Sequence, residues 1–360
     1  MTLNASGPIS LAGATTGQSI AVELSVGATT QISLNCTNVR TLAGVASGAI
    51  VMPTNFWGKS ASVPFGCATY GTPGTYSFVV PSGVTKISVV VVGGGGGAQG
   101  YDMDETQYHS GGTGGALSYT NCIVTTPGET LTVVVGIGGL VGATGCCADG
   151  QVGTNGGDSY VSRGATTLIL AKGGLAGNGM RVIRAGGAAA CGVGAVRYSG
   201  GANSSTGSGG GIGGGGGAAG YAGNGGYGAL ISSRGAVTAQ ASAGTGGAGG
   251  GGGIVGNNYG KTTNYGASTY AGGGVGLLGT GANGTAGTSS YSPTITGSGG
   301  GGGSGGTSVP SLSWTTFPNY GGGSSQNANG SCAVSYNGGG SGGVRIIYGG
   351  TGKSYPNNAT

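Results

Sequence analysis

The segment YDMDETQYHS, residues 101–110, gathers the densest chemistry in the chain. It holds Asp102, Asp104 and Glu105, three of the seven acidic residues, and the single histidine, His109. Hard carboxylate oxygens suit calcium. A cation site, a receptor-facing loop and a solvated loop between glycine runs are the readings of this segment. Asp102 with Glu105 is the pair nearest to a glycosidase's two carboxylates, yet no scaffold element flanks them. One histidine supplies no Ser-His-Asp arrangement that the residues argue for. A second pattern, LTVVVGIGGLVGATG, places Gly136, Gly138 and Gly142 behind an apolar strand, with Asp158 downstream as a dinucleotide fingerprint would have it. That fingerprint needs a helix after its glycines. Here GATGCCADGQVGTNGG follows, full of helix breakers. The expectation is a protein without catalytic residues, resident metal or cofactor.

Aromatic residues carry more information. The chain has 17 Tyr, 4 Phe and 2 Trp, and many stand in the varied segments that separate glycine runs. Tyr beside Ser, Gly and Asn is the composition of adaptable binding loops, with rigid contact area next to flexible polar groups. These rings, Tyr221 and Tyr227 among them, would serve either as contact surface or as pins that pack over the glycine backbone. The expected receptor-contacting set is Tyr101, Asp102, Tyr108, His109, Tyr259, Tyr265, Tyr270, Tyr291, Trp314, Phe317, Tyr320 and Tyr336.

The remaining chemistry narrows the function classes. Cys36, Cys67, Cys122, Cys146, Cys147, Cys191 and Cys332 are irregularly spaced and lack the paired CxxC spacing of zinc sites. Mostly free, small apolar thiols are expected, with adjacent Cys146 and Cys147 able to form a strained disulfide. Net charge is +5, but Arg163, Arg181, Arg184, Arg197 and Arg234 never form a block. A nucleic-acid partner would want a clustered basic face, so none is expected. No run of about 18 apolar residues predicts a membrane span. MTLNASGPISLAG lacks the basic-then-apolar order of a secretory signal; export by lysis or by assembly into a particle is the expected route.

What positions these residues is the glycine-rich body from Gly93 to Gly350. Glycine makes up 96 of 360 residues, a level that usually signals low complexity. Disordered chains are charge-rich and apolar-poor, whereas here charged residues are 5% and hydrophobic ones 37%. Glycine keeps no strict three-residue period, and Pro is scarce, so collagen is excluded. Polyproline-II-like segments remain. They have three residues per turn and no internal hydrogen bonds, so side-chain-free runs can lie together and bond backbone to backbone. One run alone stays disordered, because glycine loses the most entropy on folding and a hydrogen bond returns only about 1 kcal/mol net. Many runs clamped between strands form a solid.

Residues 1–60 read as a separate unit of short half-buried strands, ISLAGATTGQSIAVELSV and ATTQISLNCTNVRTLAGV, with VRTLAGVASGAIVM as a helical turn or two stopped by Pro53. About 60 residues bury little core alone, so this unit is expected to dock on a partner. Residues 61–75 read as a linker. Residues 76–350 form the glycine-rich β domain, strand-rich at 76–198, with a glycine-run bundle at 199–343 and a closing strand at 344–348; residues 351–360 form a separate tail. TYSFVV-PSG-TKISVVVV and ALSYTNCIV-TTPGE-TLTVVV read as hairpins, as does DSYVSRGATTLILA around Arg163-Gly164. The expected fold class is all-β, an antiparallel β-sandwich with packed polyglycine-II-like segments and almost no helix.

Three segments resemble proteins of tailed bacteriophages. ISLAGATTGQSIAVELSV, ISLNCTNVRTLAGVASGAIVM and FWGKS are similar to a short module at the start of phage tail and tail-fibre proteins. FVVPSGVTKISVVVVGGGGG resembles the entry to a phage glycine-rich domain, and SGGVRIIYGGTGKSYPNN the C-terminal ending of phage virion proteins. The glycine-rich middle is similar to distal adhesins in which polyglycine helices stack and variable segments bind the host receptor. The resemblance implies a non-enzymatic tail-fibre protein of the virion, extracellular after release. It would be attached to other tail proteins through residues 1–60 and would contact a host surface protein or polysaccharide as a homo-oligomer, a trimer by analogy with other fibres. Alternatives are a purely architectural virion protein, a polysaccharide-degrading tailspike and a secreted cellular matrix protein.

Overall fold

A computed structural model describes residues 2–24, 26–61, 65–100, 109–142, 151–178, 183–204, 212–231, 237–255, 268–269, 271–287, 320–324, 338–349 and 354–356. The chain forms two compact units. One comprises Met1–Phe65 with Pro81–Thr85 and Thr126–Gly128; the other comprises Gly66–Val80, Lys86–Thr125 and Glu129–Thr360.

Among the described residues, the first unit contains helices α1 (Ile20–Glu23) and α2 (Thr37–Ala43) and no strand, which corrects the strand expectation for residues 1–60. Val39, Leu42 and Ala43 are spaced to share one helical face and are buried with Leu3, Ile20 and Phe56. The Ser19 hydroxyl accepts the Val22 N–H at the start of α1, and Gly44 ends α2 at φ 72°, a left-handed position natural to glycine. The apparent two-residue alternation arose from small Ala, Ser, Thr and Gly residues, which do not discriminate between periods.

The second unit runs through β1 (Gly66–Tyr70), β2 (Gly74–Val79), β3 (Lys86–Val92), β4 (His109–Ser110), β5 (Leu117–Val124), β6 (Thr130–Val135), β7 (Ser159–Arg163), β8 (Thr166–Ala171), β9 (Val196–Tyr198), β10 (Ile212–Gly213), β11 (Leu230–Ile231), β12 (Val237–Ala239), β13 (Ile254–Val255), β14 (Ser268–Thr269) and β15 (Gly343–Tyr348). Two sheets, ordered β1-β15-β3-β5-β9 and β2-β6-β7-β8, pack face to face. The all-β sandwich is thus as expected. The first two hairpins are not: β2 pairs with β6, and β3 lies between β15 and β5, so residues 80–85 and 125–129 cross from one sheet to the other. Val89 to Val92 are fully buried. A strand buried on both faces needs partners on both edges, which the unbroken VVVV run signals. The β7–β8 hairpin around Arg163-Gly164 forms as read.

Most sandwich strands run on into extended glycine rods without a break. β3 continues as residues 93–100, β6 as 136–142, β8 as 172–177 and β9 as 199–204; residues 110–116, 151–157 and 338–342 lead into β5, β7 and β15. Bonds along each rod recur every third residue. The N–H groups of Gly94, Gly97 and Gly100 donate to Gly157, Thr154 and Gln151 at 2.8–2.9 Å; those of Gly93, Gly96 and Gln99 donate to Ala116, Thr113 and Ser110 at 2.9–3.1 Å. Three residues per turn is the polyproline-II geometry. Rod 93–100 is ringed by six others: 110–116, 136–142, 151–157, 172–177, 321–324 and 338–342. Rod 212–219 is ringed likewise by 110–116, 199–203, 225–229, 248–252, 272–275 and 321–324.

Glycine makes this lattice possible by close approach. A Cβ on Gly93 or Gly96 would overlap backbone at Lys172 or Leu175, and one on Gly94 or Gly97 would overlap Ile137 or Leu140. Those neighbours extend strands of the opposite sheet. Sandwich sheets stand about 10 Å apart because side chains hold them apart. Where the side chains stop, the two layers merge into a single hydrogen-bonded bundle. The lattice begins at Gly93, inside the stretch read from sequence as strand-rich, and extends through residues 212–287 and 338–342.

Candidate binding face at the far end of the lattice

The rods have two ends. At the near end lie the sandwich strands and the turns around 220–224, 244–247 and 276–283. The far end is defined by residues flanking segments outside the described set. Gly100 meets Gln151 there, Gln99 meets Ser110, and Gly142 donates to Ala98. Asn178 donates its N–H to Ser110 Oγ at 3.0 Å, and Arg184 to Asn203 Oδ1 at 2.8 Å. The short ladder β4-β10-β11-β12 and the pair β13-β14 close the same end, with Ile212 beside His109 and Ile231, and Val255 beside Ser268. The Ser324 N–H reaches Gly96. The described residues that flank 101–108, 143–150, 179–182, 205–211, 232–236, 256–267 and 325–337 therefore lie at one end of the lattice.

The residues expected to contact a receptor divide accordingly. Tyr101, Asp102, Tyr108, Tyr259, Tyr265 and Tyr336 lie outside the described residues; the described residues on either side of their segments are at the far end. The His109 backbone pairs in β4 at that end. Tyr270 is outside the described residues, between β14 and the rod at 272–275. Tyr291, Trp314 and Phe317 fall in 288–319, also outside the described residues. That segment departs after Gly287, whose N–H reaches Gly251, and returns at Tyr320, which bridges Val275 near the sandwich. Its two ends do not share the far face. Tyr320 is half-buried against the near-end core.

Directly beneath the far end sits a polar layer. Asn203 Nδ2 donates to the Gly111 carbonyl at 2.8 Å, Arg184 Nη1 to the Ala176 carbonyl at 2.9 Å, and Ser204 Oγ to the Ala229 carbonyl. These bonds tie neighbouring rods together at that end. Such buried bonding rigidifies a support. The Gly136-Gly138-Gly142 pattern belongs to a rod rather than to a strand-to-helix turn, and Asp158 pairs with Lys172 while accepting the Gly173 N–H at 2.9 Å. Cys36, Cys67, Cys122 and Cys191 are free thiols; Cys146, Cys147 and Cys332 lie outside the described residues.

A second cluster, at the near end, was not anticipated as a unit. Tyr119, Tyr221 and Tyr355 are buried together with Val90, Val92, Leu117, Val275, Leu277 and Ile347. Tyr221 and Tyr355 stack at 5.8 Å and 13°, and Tyr119 lies 6.1 Å from each. Burial raises the Tyr221 and Tyr355 phenols well above the usual tyrosine range. Arg345, 7% exposed, lies in this cluster, and among the described residues it forms no ion pair. Its Nη1 reaches the Leu277 carbonyl at 3.4 Å. The sequence signal was Arg within the apolar strand GVRIIY, where a charge must have a special environment.

A family model described as a glycine-rich domain matches residues 71–236. The chain carries a glycine-rich domain. The match spans strands β2 to β11 and the first rods, whereas the glycine-rich lattice itself continues past it to residue 342. No curated protein matches the chain.

Proposed function

We propose that this chain is a non-enzymatic structural protein of a phage tail that presents variable Tyr/Asn/Ser segments to a host surface from a rigid glycine-rich lattice. The observation that carries this reading is the shared far end. The described residues that flank seven segments lie at that end of a backbone-bonded support, and three of those segments, 101–108, 256–267 and 325–337, carry Tyr. Binding sites gain affinity when the groups that make contact are held in place beforehand, and a backbone-bonded lattice provides that hold. Tyr and Trp faces suit the sugar rings of a surface polysaccharide as well as a protein receptor. Residues 1–60 would fix the chain to other tail proteins. Assembly as a homo-oligomer would multiply weak contacts.

The test is competition. Purified protein, added in excess to host cells, is expected to block adsorption of the parent phage. Changing Tyr259 and Tyr265 together to Ala should abolish the block while leaving Tm unchanged. Unimpeded adsorption at saturating wild-type protein would remove the receptor reading and leave the purely architectural one. Release of reducing ends from host polysaccharide, lost on Asp102→Asn or Glu105→Gln, would instead support a depolymerase.

A further inference from the structure

Tyr355 packs against residues of β3, β5 and β15 in the five-stranded sheet. Tyr355 is 3% exposed and joins the near-end core. Its backbone is read by one side chain: Asn121 Nδ2 donates to the Tyr355 carbonyl at 2.7 Å, and Asn121 Oδ1 accepts the Tyr355 N–H at 2.9 Å. That paired contact imitates strand addition, with an amide side chain in place of a strand. The Tyr355 ring stacks on Tyr221, and its hydroxyl lies 3.5 Å from the Arg345 carbonyl, beside a guanidinium whose Nε has no hydrogen-bond partner among the described residues. The next carbonyl, of Pro356, accepts the Thr280 N–H at 2.8 Å. Proline has no N–H to leave unsatisfied at this position.

We infer that the cleft between β5, β15 and the 276–280 turn is a peptide-binding site for a Tyr-Pro segment, occupied in this chain by its own Tyr355-Pro356. Each element of the cleft reads a different feature. Asn121 reads the backbone, Tyr119 and Tyr221 read the ring, Arg345 reads the hydroxyl, and Thr280 reads the carbonyl after the ring. Phenylalanine would fill the same volume and leave the buried guanidinium facing carbon. The tail thereby fastens three pieces together: the middle of the sheet, its β15 strand and the lattice turn. This inference does not depend on the host-surface reading.

The experiment uses a chain ending at Gly352 and a fluorescent peptide of sequence KSYPNN, residues 353–358. Anisotropy should show saturable binding to the shortened chain and none to the full chain, whose cleft is filled. The Tyr→Ala peptide should bind about 30-fold more weakly or worse, as for loss of a buried aromatic anchor, with Tyr→Phe in between. A folded shortened chain that ignores the peptide would overturn the inference, as would a full chain that binds it equally. Should the shortened chain not fold, full-length Tyr355→Ala takes its place. A peptide-dependent rise in its Tm supports the site; no binding and no rise count against it.

Discussion

At the scale of single residues, the lattice turns on a hydrogen atom. Gly96 occupies a position where a methyl group would overlap the Leu175 carbonyl. Overpacking of this kind costs about 1–3 kcal/mol, at times more. Gly96→Ala should therefore lower stability by at least that much in urea titrations. Leu140, 61% exposed on the rod 136–142, should tolerate Ala within about 0.5 kcal/mol. A second prediction concerns Tyr221 and Tyr355. Their phenol pKa values are raised in the folded protein by burial. The unfolded chain releases these protons near pH 10, while the folded chain retains them. The stability they contribute is complete below pH 10 and falls as pH rises above it. Spectrophotometric titration should show at least two phenols that ionise only together with loss of near-UV circular dichroism. Ionisation of every tyrosine near its ordinary value, in a chain still folded, would contradict their burial.

At the scale of elements, a rod has three sides, and the sequence marks which of them face other rods. Rod 93–100 has neighbours all round, and five of its residues are consecutive glycines. Rod 136–142 exposes Ile137 and Leu140, three residues apart, and rod 172–177 carries Lys172 and Leu175 at the same spacing. That triplet rule was legible in principle, yet chance spacing in a chain this rich in glycine masked it. The strands themselves were legible from their β-branched runs. Their partners were not, because alternation is the same in a hairpin and in a crossing between sheets. Helix α2 was only half legible, since small residues obscured the period. The Tyr355 contact joins residues 234 positions apart in sequence, beyond the reach of any local pattern. Edge rods also recruit side chains as acceptors where no backbone supplies one: Asn155 Oδ1 accepts the Ala176 N–H at 2.8 Å. Ala176 is 2% exposed. Asn155→Ala should strand that buried donor and cost about 1–3 kcal/mol, and Asn155→Asp should retain most of the bond at neutral pH. Equilibrium denaturation of the three proteins decides the matter.

At the scale of the molecule, the second unit combines two architectures on one set of strands. The sandwich supplies an apolar core that a lattice of bare backbone lacks, and the lattice extends the sandwich's hydrogen bonding into a support for the far end. Local opening is costly where every bond is shared among several neighbours. Amide exchange in residues 93–100 and 212–219 should therefore proceed only through global unfolding and match its free energy by native-state hydrogen exchange. Rapid exchange there, beside slow exchange in β3 and β5, would mean that the glycine runs do not form a solid.

The three-residue recurrence of contacts along each rod also restricts how such a gene can change length. Loss of one glycine codon from the GGGGG run at 93–97 would turn everything downstream in that rod by a third of a revolution, aiming each N–H at the wrong neighbour. Loss of three would restore the facing but shorten the rod by one turn against partners of fixed length. The length of each rod is therefore fixed by its neighbours, and the glycine runs at 93–97 and 213–217 tolerate no single-residue insertion or deletion.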